Sequence, residues 1–505
     1  MKGLAALLRR DKLLTLAFLL LTGAHLLPLL LARHLPMGDV PAHLAVVQIW
    51  RTPTDEGLMG RAYEHRSVLP PYLTYYGSLR LLGRVVGLET ANKLILVAYV
   101  LALPLSLAYL LGAFGRDRRL ALLGFPLIYN VCFTYGFVAN LLALPLLLAS
   151  LGLLQHYLLA PTLRRELLLA LGVAALYFTH LLAAAPFAVA APIVFFAHVH
   201  RPRAVLRRSL FVWPTLAFAL VWTLHSAGGQ GFGGPHRTPA VNLVVALDWI
   251  NNFLVGSVDE LALLAVAGTL IACLLLPARG PTEPALPRAH WAIGAGALAI
   301  AALYFVAPGH LDRPWYHWAT NMRLVLPIVL LLLTLPQARL SGARALLLLP
   351  LIAVTLWSAA VTVQGFRRFD ATARHLDRVL PSIPANRRVL SLVYDESDGV
   401  HQGFPLRHLP LLYQVRQGGY MPYDFDMPMM PIGYHGGPTP APFFKNPQDF
   451  RYAEHGRYYD YFLAIFRAPG EAGPTLAGAT TEQVRLVTQS GRFAVYQNLG
   501  STAPP

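Results

Sequence analysis

Apolar runs of membrane-span length recur along the chain, separated by short connections that are basic or rich in Pro and Gly. A helix crossing a bilayer needs about 20 apolar residues, somewhat fewer when short. Runs of this kind fall at 12–32, 91–112, 119–135, 137–159, 165–182, 184–199, 208–225, 259–277, 289–307, 321–337 and 343–363, which predicts about eleven spans. The segment 165–199 is read as two spans turning near Ala183-Ala-Ala-Pro186, because the arginines at both of its ends belong in the cytoplasm.

The pattern changes after position 365. Phe369–Leu380 reads as a helix ended by Pro381, and 388–394, 459–466 and 492–497 read as strands rich in β-branched and aromatic residues. Between them, 399–450 is rich in Pro, Gly and aromatics and is expected to be irregular. This divides the chain into a transmembrane domain, 1–365, and a soluble α/β domain, 366–505, long enough to bury its own core. The loop 33–90 carries two amphipathic pieces, Val46–Trp50 and Tyr72–Leu82. With Tyr63, Tyr72, Tyr75 and Tyr76, it is expected to form an aromatic layer lying on the bilayer.

Composition fixes the class. The 505 residues are 55% hydrophobic and only 13% charged. An ordinary soluble domain is about one-quarter charged. A polytopic helical membrane protein is the reading that fits. The formal charge of +16 would suit nucleic acid, but much of it sits in short clusters between apolar runs. That distribution argues against nucleic acid and for anionic lipid headgroups or a phosphorylated lipid. The connections 115–119, 161–165, 200–208, 277–288 and 339–344 each hold at least two arginines, whereas 226–258 and 308–320 hold one each, Arg237 and Arg313. The asymmetry puts the N-terminus inside and both the 33–90 loop and the C-terminal domain outside, as in a multi-pass protein of a bacterial inner membrane. The basic N-terminus resembles a signal peptide, but its apolar run to Ala32 is long and lacks a small-residue cleavage site, so it is read as a retained anchor. Cys132 and Cys273 fall in apolar runs near opposite faces, so no disulfide is expected, and no zinc-type spacing is present.

Several chemistries have no counterpart here. There is no internal repeat, phosphate-binding lysine loop, dinucleotide fingerprint, HExxH or GxSxG. Gly228–Gly234 lacks the lysine and strand of a phosphate loop and reads as a flexible outer loop.

In a chain so sparing of acids, the carboxylate just beyond the first run needs a reason. In His34-Leu-Pro-Met-Gly-Asp-Val-Pro-Ala-His43, Pro41 suits the first turn of a helix and puts Asp39 and His43 on one face. Asp39 is read either as the cap of that helix or as a catalytic base. Other polar residues expected near the outer face are Asp55, Glu56, His180, Asp248, Asp259, Glu260, His310, Asp312, His317 and Arg323. Arg323 opens an apolar run, where its guanidinium either snorkels to the interface or forks onto a phosphate. His180 is a packing residue or a ligand, and Asp259–Glu260 favour a helix N-terminus or join the site. Asp248 beside Trp249 offers an acid for sugar hydroxyls and an indole for a ring face, although an interfacial tryptophan explains the pair as well.

The layout resembles the GT-C superfamily of polyprenyl-phosphate-dependent glycosyltransferases: a first span, an outer loop opening on an Asp, many further spans and an outer C-terminal domain. Tyr135–Pro145, Leu176–Leu182 and Asn321–Pro327 have the texture of bacterial membrane proteins of this type. The WWDYG-type motif of oligosaccharyltransferases has no match in the tail, where Tyr458-Tyr-Asp-Tyr461 only echoes it. The resemblance implies a polyprenyl-phosphate sugar as donor and an envelope hydroxyl as acceptor. Asp39 would be the base, helped by His43. Arg323 would hold the phosphate, with His180, Asp248, Trp249, Asp259 and Glu260 as binding residues. Asp39 and His43 are too few ligands to assert a metal site, so a divalent metal stays open. A transporter or flippase of lipid-linked intermediates and a non-catalytic scaffold are the alternatives, with membrane lipids as partners and protein partners unknown.

Overall fold

The computed structural model describes residues 11–66, 71–226, 235–236, 243–251, 253–277, 287–311, 317–422, 430–434, 447–476 and 478–501. Asp312, Arg237, Arg313 and the Gly228–Gly234 segment lie outside the described residues.

A helical bundle carries the membrane part. Among the described residues six helical segments are long and apolar enough to cross a membrane: Lys12–Leu31, Leu88–Ala113, Val138–Leu159, Pro202–Leu224, Val258–Leu275 and Gly342–Ser382. Shorter apolar helices at Leu181–Phe196, Trp291–Val306 and Met322–Leu332 pack among them. The expected span 119–135 is instead a 3₁₀ stretch, Arg118–Leu127, followed by a short helix, Val131–Tyr135. Its apolar character reflects burial inside the bundle rather than lipid contact, since Leu120–Leu127 are all buried. Internal burial and lipid exposure select the same residues, so hydropathy does not separate them. At the predicted turn in 165–199 the helix ends at Thr179 and restarts at Leu181, with His180 between.

The last apolar helix, Leu348–Val379, runs unbroken through position 365 and carries the chain into the tail. There a four-stranded sheet is ordered Val389–Val393, Tyr461–Ile465, Phe493–Asn498, Val484–Ser490. The first pair is parallel and the other two are antiparallel. Every residue of Val389–Val393 and Tyr461–Ile465 is buried, which accounts for their near-continuous apolar sequence. His375 on the long helix meets Ser490 at 2.8 Å, which ties the rod to the edge strand.

The tail is stitched to the 33–90 loop. Strand Tyr63–His65 pairs antiparallel with Ile432–Tyr434, and the Tyr63 hydroxyl donates to the Met421 carbonyl at 3.1 Å. Arg416 grips Glu89 through two bonds of 2.8 Å and Asp377 through one of 2.6 Å. Asp377 in turn meets His34 at 2.9 Å and Arg33 at 3.1 Å. This covering corrects one expectation: Tyr63, Tyr72, Tyr75 and Tyr76 are all buried, so they form core under the tail rather than a layer on the bilayer. Buried Tyr needs hydroxyl partners, and Tyr75 finds Asn92 at 2.7 Å.

Candidate functional site

Asp39 sits where the first loop crosses the Val131–Tyr135 turn. Its backbone N–H donates to the Tyr135 carbonyl at 2.9 Å, and the Gly38 N–H donates to the Thr134 carbonyl at 2.8 Å. The crossing is close enough to need glycine. Gly136 adopts φ +87°, and a Cβ there would lie 2.7 Å from the Asp39 nitrogen. The Val40–Arg51 helix then begins, with Pro41 in its first turn. Asp39 occupies the capping position, yet its carboxylate makes no cap hydrogen bond.

The carboxylate turns instead to the tail, where His408 Nε2 lies 3.4 Å from Asp39 Oδ1. The Asp39 side chain keeps 22% of its surface exposed. Burial pushes its carboxyl up, but the His408 hydrogen bond and charge, with His43 and Arg407 nearby, hold it below the usual carboxylate range. At neutral pH Asp39 is an anion ready to accept a proton.

His43 does not use its Nδ1 on Asp39; that nitrogen lies 2.8 Å from the Tyr76 hydroxyl. The Tyr76 proton goes to Met430 Sδ at 3.0 Å, so Tyr76 accepts from His43. Burial pushes the His43 imidazolium down to about 4, with the neighbouring charges as lesser causes, so the ring is neutral at pH 7.

A second polar centre lies nearby. His180 Nδ1 lies 3.2 Å from the Ala183 N–H. Its Nε2 meets the Tyr72 hydroxyl at 2.9 Å. Arg323 Nη1 donates to that same Nε2 at 2.8 Å. Its guanidinium carbon sits 3.8 Å above the Phe137 ring. Among the described residues Arg323 has no carboxylate partner, and its buried Nε has no hydrogen-bond partner. A cation held this way has a neutral imidazole and an aromatic face beside it but no anion among those residues. Tyr72 and His43 each lie within electrostatic reach of both Asp39 and Arg323, so the two charges border one region. His317, buried beside Arg323, is pushed down to about 3 by burial and that charge.

The remaining sequence candidates are placed differently. Asp259 is fully buried and accepts from the backbone N–H groups of Phe253 at 2.8 Å and Leu254 at 3.2 Å, so it holds a turn. Glu260, Asp248, Asp55 and Glu56 are exposed. Trp249 is half-buried and meets Tyr304 edge-on at 6.2 Å, with no contact to Asp39 or Arg323 among the described residues. His408, Tyr72, Tyr76, Phe137 and Arg407 were not singled out from sequence as site residues. His408 lies in the Pro-rich stretch after 399, where no local periodicity marks it. Among the described residues no group of three or more His, Cys, Asp or Glu side chains is gathered to hold a metal ion.

No family model and no curated protein matches the sequence. Among solved structures, the fold is similar to that of ArnT from Cupriavidus metallidurans, crystallised bound to undecaprenyl phosphate, with a TM-score of 0.54 and 12% sequence identity. The similarity covers 100% of this chain and 99% of that one, and so shows a shared polytopic fold over the whole length.

Proposed function

We propose that the chain is a membrane glycosyltransferase that moves a sugar from a polyprenyl-phosphate donor to an envelope hydroxyl on the extracytoplasmic side. One observation carries this reading: an ionised, partly exposed carboxylate and a guanidinium with no acid partner among the described residues both lie within electrostatic reach of His43 and Tyr72. The fold likeness to a protein crystallised with undecaprenyl phosphate supports the donor class.

In this reading Arg323 receives the donor phosphate, supplying the anion that the guanidinium lacks among the described residues. Asp39 takes the proton of the acceptor hydroxyl as its oxygen attacks the anomeric carbon from the opposite face. The bond from that carbon to the phosphate oxygen breaks with its electron pair, polyprenyl phosphate leaves, and the configuration inverts. His408 orients the Asp39 carboxylate and stabilises its charge before transfer. General-base help of this kind is worth ~10²–10⁴ in rate.

The test is turnover by purified protein in nanodiscs, with polyprenyl-phosphate sugars as donors and envelope glycolipids as acceptors, for wild type and Asp39→Asn. The expected result is polyprenyl phosphate release that falls by ~10²–10⁴ in a variant with unchanged thermal stability. Equal turnover in both proteins removes Asp39 as the base and the reading with it. Transbilayer movement of the donor without bond cleavage would favour a flippase.

A further inference from the structure

Between the two charges runs a continuous aromatic surface that the proposed chemistry has not yet used. Phe404 meets Tyr135 edge-on at 5.8 Å, and Tyr135 stacks on Phe137 at 5.5 Å. Trp318 leans on both, 5.4 Å from Tyr135 and 6.0 Å from Phe137. One end of this surface lies at Asp39, through the Tyr135 carbonyl that receives the Asp39 N–H. The other end lies under Arg323, whose guanidinium rests on Phe137.

A buried core would close over such rings. Here Trp318 keeps 41% of its surface exposed, and Tyr135 is only half-buried. Among the described residues no hydrogen bond or cation contact is made by the indole, which leans on the Tyr135 and Phe137 rings. The aromatic surface is thus a shelf with a free face, between a phosphate holder and a base.

We infer that this shelf, with Trp318 as its exposed ring, is the subsite for the donor sugar, and that it takes a pyranose by stacking. The inference rests on the donor reading above. A sugar joined to the phosphate by one bond must lie next to Arg323, and its anomeric carbon must face the hydroxyl that Asp39 activates. The span between those two charges is the shelf. Pyranose C–H bonds lie against the electron-rich face of an indole, and a ligand pocket lined by aromatics with a few polar groups at its rim is the usual arrangement.

The experiment measures binding of farnesyl phosphate and of farnesyl-phosphate glucose, mannose and galactose to the full-length protein in phosphatidylcholine nanodiscs. At least one hexose conjugate is expected to bind about threefold to tenfold more tightly than farnesyl phosphate. Trp318→Ala should erase that difference while leaving farnesyl phosphate affinity within about twofold of wild type, and Trp318→Tyr should keep part of it. Arg323→Gln should weaken all four ligands alike. A hexose preference that survives Trp318→Ala, or no preference in wild type, overturns the shelf and leaves the donor reading standing. Failure of farnesyl phosphate to bind, or indifference to Arg323→Gln, overturns the donor reading and the shelf with it.

Discussion

Two half-buried arginines on the same side of the molecule make opposite use of their charge. Arg416 joins the tail to the bundle, and three of its nitrogens are bonded to Glu89 and Asp377. The network continues to His34 and Arg33, so each charge in it meets one of opposite sign. Among the described residues Arg323 sits on Phe137, hydrogen-bonds to the neutral ring of His180, and leaves its Nε without a partner. Closed charge holds elements together; open charge waits for a ligand. The tail serves both the joint and the site, since Arg416 lies within, and His408 just before, the Leu409–Gln417 segment that packs on the Val40–Arg51 helix, and His408 meets Asp39.

Substitution at each arginine sharpens that contrast. Arg323→Gln should lower transferase turnover by ~10²–10³, as loss of a preorganised charge does, with no loss of thermal stability. A large drop in melting temperature with donor binding intact would make Arg323 a structural residue and end the contrast. The neutral, buried His43 supplies the next test. The unfolded chain takes a proton on this ring near pH 6.5, whereas the folded ring does so only near 4. Stability from this group is therefore complete above pH 6.5 and is lost as pH falls toward 4, by roughly 3 kcal/mol. His43→Gln should flatten that part of a melting-temperature profile. Arg416→Gln should cost about 2 kcal/mol, less than a fully buried pair because its partners are part-exposed, and should loosen the tail to limited proteolysis. Turnover measured on the folded fraction should change little.

The smallest effect should come from His408→Ala. Without that imidazole, burial is left to raise the Asp39 carboxyl, so the base is protonated at higher pH. The acid limb of the pH–rate profile should move upward, while turnover at pH 8 stays close to wild type. An acid limb that does not move would mean that His408 does not govern Asp39.

Local pattern carried much of the architecture. Apart from 119–135, the apolar runs are helical close to where hydropathy put them, as are the three tail strands and the helix after Asp39, because hydropathy and Pro or Gly signals act over a few turns. Asp39 and Arg323 drew attention for a local reason too, as isolated charges at the ends of apolar runs. The site as an assembly was not legible this way. Trp249 and Trp318 look alike in sequence, each a tryptophan near an outer connection, yet one packs on Tyr304 and the other tops the shelf beside Asp39. The four tyrosines of the first loop carry the residue type of a membrane interface but become core once the tail covers them.

The sequence by itself therefore determined the class of the protein, the run of its helices and strands, and the two charges that needed an explanation. Tertiary structure alone decided which side chains meet those charges and what flanks them: His408 on Asp39, Phe137 beneath Arg323, and Trp318 against Phe137. The physical reason is range. A turn or a span is fixed by neighbours a few residues away, whereas each of these contacts joins segments far apart in the chain. They form only when the tail folds back over the first loop and the bundle closes around it.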